Sequence, residues 1–240
     1  MKVLGVIPAR YGSSRFPGKP LLDLKGKTMI QRVYEGAQKA TLLDTIVVAT
    51  DDQRIFDEVL RFGGRVVMTS SSHQSGTERC AEVLGHFPDH DTLINIQGDE
   101  PLVSGLQLDQ LIGAFQDPTV VLATLVHPEV SAADLQNVNR IKVLEDHQGN
   151  AIYFSRSAIP NTHYAKNQDF PWLRHIGLYA YKSEVLRQIA SLAPCALEQA
   201  ESLEQLRWLY YGYAIKLVHT DIETPNIDVP ADLEKVLPFL

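Results

Sequence analysis

The sequence predicts an α/β fold with a mostly parallel central sheet and a smaller antiparallel or mixed extension. Three observations carry that expectation. Short apolar runs alternate with helical periodicity through the first half, the pattern of crossover connections. Several of these runs end in charged or glycine-bearing segments, as strands do where ligands gather at the carboxyl edge of an open α/β sheet. In the second half strand-like runs follow one another with few helices between them, which suggests antiparallel or mixed pairing. With 240 residues, 45% of them hydrophobic, one domain with a sizeable core is the simplest organisation.

The first strand is the apolar run at residues 3–7, since an unbroken apolar stretch of that length reads as buried on both faces. Residues 8–20 then hold Arg10, Arg15 and Lys19, the hydroxyls of Ser13 and Ser14, and the glycines Gly12 and Gly18. Fixed positive charge with a backbone that can approach closely suits a bulky anion, and a triphosphate is its natural ligand. Lys19 is followed by Pro20, so the segment is neither a G-x-x-x-x-G-K-[ST] loop nor G-x-G-x-x-G.

Met29, Ile30, Val33, Ala37 and Ala40 give the next segment a helical apolar stripe, and Ile55, Val59, Leu60 and Phe62 give another. Between and after them lie strands at 45–50 and 65–68. Ser75-Gly76-Thr77-Glu78-Arg79 opens a helix; Ser75 or Thr77 caps it, or the helix start meets a nucleobase or an anion. A buried strand at 92–97 is broken by Gly98-Asp99-Glu100-Pro101. A carboxylate there suits Mg²⁺, which takes one or two carboxylates plus phosphate oxygens and water; a turn-forming Asp is the plainer alternative. The segments after residues 7, 50, 68 and 97 should share one rim.

Further strands are expected at 120–126, 139–144, 151–155, 175–181 and 215–219, a polar arm at 161–171, one helix at 197–211, and a closing helix from Pro230. Asp228 precedes that helix as a metal ligand or an N-cap. Arg156, Arg174 and His175 lie at strand ends where an acidic substrate would welcome them.

The formal charge of −7 argues against a general nucleic-acid binder. Cys80 and Cys195 are far apart with no CxxC spacing, and the eight histidines show no metal-ligand spacing, so neither a zinc site nor a disulfide framework is expected. No apolar stretch approaches the roughly 20 residues of a membrane span and no signal-peptide pattern opens the chain. A cytoplasmic protein without membrane or nucleic-acid partners is expected.

Taken together, IPARYGSSRFPGKPL at 7–21, VVATDD at 47–52, HQSGTER at 73–79, NIQGDEP at 95–101, YFSR at 153–156, RHIGLYAY at 174–181 and LEQLR at 203–207 resemble the cytidylyltransferases that activate 3-deoxy-manno-octulosonate (Kdo). The resemblance spans the chain in order and implies a Rossmann-like nucleotide-diphospho-sugar transferase fold, a homodimer paired through about 151–181, and the reaction of CTP with Kdo to give CMP-Kdo and pyrophosphate for lipopolysaccharide biosynthesis. It implies CTP binding by Ala9, Arg10, Ser13, Ser14, Lys19, Ser75, Gly76 and Arg79, with Arg10, Lys19, Asp99 and Asp228 catalytic. Asp99 and Asp228 would hold Mg²⁺, and Gln97, Arg156, His175, Glu204 and Gln205 would surround the sugar acid. Gln199 stands where the family often has His. The alternatives are the same reaction on 8-amino-Kdo or on another 2-keto-3-deoxy acid such as sialate, a glycosyltransferase of related fold, and a catalytically silent nucleotide-binding module.

Overall fold

The computed structural model describes residues 1–12, 16–128, 131–164, 170–225, 227 and 232–240. The first half builds β1 (Val3–Ala9), a small hairpin β2 (Asp23–Leu24) and β3 (Lys27–Thr28), α1 (Met29–Ala37), β4 (Thr45–Thr50), α2 (Gln53–Arg61), β5 (Val66–Met68), α3 (Gly76–Val83) and β6 (Thr92–Asn95). Then come α4 (Gly105–Gly113), β7 (Leu122–Pro128), α5 (Ala132–Gln136), β8 (Lys142–Glu145), β9 (Ala151–Ser155), β10 (Leu173–Lys182) and α6 (Ser183–Ala190). The remaining elements are α7 (Ala196–Glu201), α8 (Gln205–Tyr210), β11 (Lys216–His219) and α9 (Leu233–Val236).

Among the described residues nine strands form one sheet, in which β11, β7, β10, β6, β1, β4 and β5 are successive neighbours. β6, β1, β4 and β5 run parallel. β10 enters antiparallel between β6 and β7, and β8 with β9 extends antiparallel from it. The expected parallel half and mixed extension are therefore both present.

Apolar layers cover both faces. Met29, Ile30 and Val33 of α1 join Ile55 and Val59 of α2 on one side; Cys80, Val83, Leu186 and Trp208 pack on the other. Burial of each such large side chain contributes about 1.5–3 kcal/mol. Capping fixes the helix starts that matter for function: Thr28, Asp52 and Ser75 each accept a backbone N–H at the head of α1, α2 and α3.

Two helices, α4 and α6, fall where the sequence suggested no element, their apolar residues (Leu108, Leu111, Ile112; Val185, Leu186, Ile189) buried against the sheet. The single helix expected at 197–211 is two, because Ser202 takes a left-handed conformation with φ 51° and ends α7. The expected closing helix is described only over Leu233–Val236; Pro230 and residues 165–169 of the expected arm lie outside the described residues. Among the described residues no helix is long and apolar enough to cross a membrane.

Candidate active site

The carboxyl ends of the parallel strands form one rim. A cavity of about 240 Å³ there is lined by Ala9, Arg10 and Lys19 after β1, His73–Gly76 after β5, Arg79 of α3, and Gln97, Gly98 and Asp99 after β6. Gly98 is required by contact: a Cβ would lie 2.7 Å from the Pro8 carbonyl oxygen, closer than any side chain tolerates, so only glycine lets the loop after β6 lie against β1. The backbone N–H of Gly18, a left-handed glycine with φ 72°, donates to the Tyr11 carbonyl at 2.9 Å and folds the cationic segment back onto the rim.

Lys19 Nζ donates to Asp99 Oδ2 at 2.7 Å and to the Ile227 carbonyl at 2.8 Å. The Ile227 N–H in turn donates to the Asp99 carbonyl at 3.1 Å. The lysine thus sits on the carboxylate singled out for the metal. Asp228 lies outside the described residues, as do Ser13 and Ser14. Arg10 is exposed at the mouth of the cavity. Arg79 is buried and held in place, donating to Thr69 and pairing with Asp51 at 2.9 Å. Ser75 caps α3 by accepting the Glu78 N–H at 3.2 Å, and Gly76 leaves the adjoining wall open. His73 contacts Glu82 through Nε2.

A second cavity of about 190 Å³ adjoins the first, and Pro8, Gly76 and Gln97 stand in both walls. Thr77, Asn95, Tyr179, Tyr181, Glu204, Gln205 and Trp208 complete it. Tyr179 and Tyr181 fall on one face of β10 by strand periodicity, and Gln205 with Trp208 on one face of α8. Glu204 Oε2 accepts from the Thr77 hydroxyl at 2.8 Å. Its carboxyl lies above the usual carboxylate range, chiefly because burial disfavours the charge. The tyrosine hydroxyls are pushed well up by burial and stay neutral. On residues that line this cavity, Asn95 Oδ1, Gln205 Nε2 and Trp208 Nε1 are buried without a hydrogen-bond partner among the described residues. A buried polar group left unpaired costs about 1–3 kcal/mol.

Gln97 Nε2 donates to the Gly177 carbonyl at 2.9 Å, inside the irregular stretch of β10 between Ile176 and Tyr179. His175 is wedged between the rings of Phe154 and Tyr179, with Thr124 Oγ1 3.0 Å from its Nε2. Burial first, and the neighbouring Arg174 charge second, push its imidazole down to about 3. This corrects the expectation of a cationic His175 greeting the substrate: the ring is neutral, positioned against Thr124. Arg156 lines neither cavity; its guanidinium donates to main-chain carbonyls of Glu201, Val138 and Ser202. Gln97, Glu204 and Gln205 are brought together as expected. Thr77 enters the sequence reading only as a candidate helix cap, and Asn95, Tyr179, Tyr181 and Trp208 do not enter it as site residues, although strand and helix periodicity from Gln205 and the RHIGLYAY segment points to the last three.

A cytidylyltransferase family model matches residues 4–220. The chain is 52% identical to a Bacteroides thetaiotaomicron 3-deoxy-manno-octulosonate cytidylyltransferase, covering 100% of this chain and 98% of that one. It is 45% identical to the Geotalea daltonii protein of the same name, covering 99% and 97%. A solved CMP:2-keto-3-deoxy-manno-octonic acid synthetase complexed with CTP superposes with a TM-score of 0.93 at 44% identity, over 100% of this chain and 98% of that one.

Proposed function

The chain belongs to the 3-deoxy-manno-octulosonate cytidylyltransferases of the cytidylyltransferase family, and from that premise we propose that it joins CTP to Kdo, giving CMP-Kdo and pyrophosphate. One observation carries the reading: a cationic cavity and a cavity lined by tyrosine, amide and carboxyl side chains meet across Pro8, Gly76 and Gln97. The first suits a triphosphate and the second a polyhydroxylated acid.

The reaction needs positioning and charge stabilisation more than covalent help from the protein. The anomeric oxygen of the sugar bonds to the α-phosphorus in line, the bond from that phosphorus to the bridging oxygen breaks, and the hydroxyl proton is lost. Arg10 and Lys19 stabilise the charge that moves onto pyrophosphate. The helix start at Ser75 and Gly76, braced by Arg79 on Asp51, seats the nucleotide. Glu204, Gln205 and the neutral tyrosine hydroxyls orient the sugar hydroxyls, and Gln97 stands where the two substrates meet.

Asp99 fits Mg²⁺ by its donor chemistry: it is a half-buried carboxylate at a strand end that already holds a cation, the Lys19 ammonium. Asp228 would be the second ligand. When bound, the ion supplies charge that lowers the pKa of the attacking hydroxyl and screens the α-phosphate oxygens. With Asp99 holding the ion, Lys19 would be free to donate to the triphosphate. We further assign the chain to lipopolysaccharide biosynthesis in the cytoplasm, as a homodimer paired through residues 151–181.

The test is pyrophosphate release in a matrix of four nucleoside triphosphates against Kdo, 8-amino-Kdo and sialate. Turnover confined to CTP with Kdo is the expected result. Faster turnover with either other sugar acid would replace Kdo as the substrate, and release without any sugar acid would end the reading.

A further inference from the structure

Arg156 and Glu201 are tied to each other by two hydrogen bonds and to their surroundings by several more. The Glu201 carboxylate accepts from the Ser155 hydroxyl at 2.7 Å and from the Arg156 N–H at 2.9 Å. In return the Arg156 guanidinium donates through Nε to the Glu201 carbonyl at 2.6 Å, through Nη1 to the Val138 carbonyl at 2.9 Å and through Nη2 to the Ser202 carbonyl at 3.3 Å. The Arg156 carbonyl is held from the other side by Lys142, a buried ammonium that also binds the carbonyls of Asn137 and Arg140. These bonds converge on the last turn of α7 and on left-handed Ser202. Two residues further on, Glu204 meets Thr77, and Gln205 and Trp208 stand in the wall of the second cavity.

We propose that Arg156 and Glu201 form a clamp that fixes the junction between α7 and α8, so that Arg156 is a positioning residue setting the sugar-acid site through Glu204 and Gln205 rather than a contact to the substrate carboxylate. This rests on the reading of the second cavity as the sugar-acid site. The physical argument is that α8 has only six residues, too short to hold itself. Its N-terminal end must be held from outside if the groups it offers are to stay aligned within a few tenths of an ångström of their ligand. A guanidinium spread over three carbonyls is suited to that task, because its rigid fork satisfies several acceptors at once and a lysine reproduces only part of it.

The experiment compares Arg156→Lys, Glu201→Gln and the double variant with Kdo and with its C1 carboxamide, alongside amide hydrogen exchange over residues 203–209. Each single variant should raise the KM for Kdo about tenfold with the KM for CTP within about twofold. The double variant should fall no more than about twofold beyond the worse single one, as members of one network do. The preference for acid over amide should stay as in the wild type. Exchange at 203–209 should speed up in every variant, a readout that holds whatever sugar the enzyme uses. Loss of the acid-over-amide preference in Arg156→Lys would make Arg156 a substrate contact and overturn the proposal. So would unchanged exchange or an unchanged Kdo KM in Glu201→Gln, a nearly isosteric variant that keeps the fold in reach if the arginine variant does not. A wild type that ignores both Kdo and its amide would refute the substrate reading, while the exchange data would still decide the clamp.

Discussion

The two cavities on the rim are made by opposite means. The first cavity is charged: Arg10 lies exposed, Lys19 and Asp99 face each other at 2.7 Å, and much of its lining comes from loops after parallel strands. The second cavity is walled by Tyr181 and Trp208, 0% and 1% exposed, with Glu204 and Gln205 in its lining and a neutral imidazole nearby. Charge is used where the ligand is a polyanion that arrives with counterions to shed, and hydrogen bonds are used where shape must decide between similar sugars. The difference has an energetic side. A charged loop exposed to water costs the fold little, whereas each buried polar group left unpaired costs it about 1–3 kcal/mol.

Four changes test that division, from the largest effect to the smallest. Asp99→Asn keeps the shape and removes the charge, and should lower Mg²⁺-dependent pyrophosphate release at least about 10³-fold. Asp228→Asn should match it, with calorimetric Mg²⁺ binding lost in both; full activity in Asp228→Asn would leave that residue as a helix cap. Lys19→Ala should lower turnover at least about 10²-fold, the scale of one contact to developing charge. Near-normal turnover there would remove charge from the explanation of the first cavity.

Glu204→Gln probes the second cavity and should raise the KM for Kdo about tenfold while CTP is untouched. Its stability should move the other way. Because the folded carboxyl is raised, its stabilising contribution is complete below the unfolded pKa and is lost as pH rises through the folded value. The variant should therefore gain on the wild type in melting temperature between pH 4.5 and pH 7, by about 2–4 °C if the difference is about 1 kcal/mol. A variant that melts lower at pH 7 than at pH 4.5, relative to wild type, contradicts the buried carboxylate.

The smallest signal concerns His175. With its imidazole at about 3, its NMR resonances should stay flat between pH 5 and pH 8. The stability it confers is present above the unfolded histidine pKa and is lost as pH falls toward about 3. A titration midpoint near 6.5 would return a cation to the sugar side and erase the contrast between the cavities.

The same contrast explains what could be read from the sequence. Arg10, Lys19, Asp99, Ser75 and Gly76 sit in short contiguous motifs at strand ends, and a parallel sheet brings its strand ends together without further information. The mixed extension was legible because AIYFS in β9 and IGLYAY in β10 are short runs rich in apolar and aromatic residues. Other features depend on tertiary partners. Ser202 breaks a good helical pattern only because Glu201 is held by Ser155 and Arg156. His175 loses its charge only because Phe154 and Tyr179, one of them far away in sequence, close over it. Arg156 looked like a substrate ligand by residue type, and its use of backbone carbonyls has no signature in a linear pattern.

Gln97 stands in both walls, with its amide nitrogen tied to Gly177. A molecule that joins a nucleotide to a sugar must lie across this side chain, occupying both compartments at once. Each substrate displaces only its own counterpart, whereas the coupled product competes with both and is held by two sets of contacts whose strengths reinforce one another. Product inhibition should therefore be competitive toward either substrate.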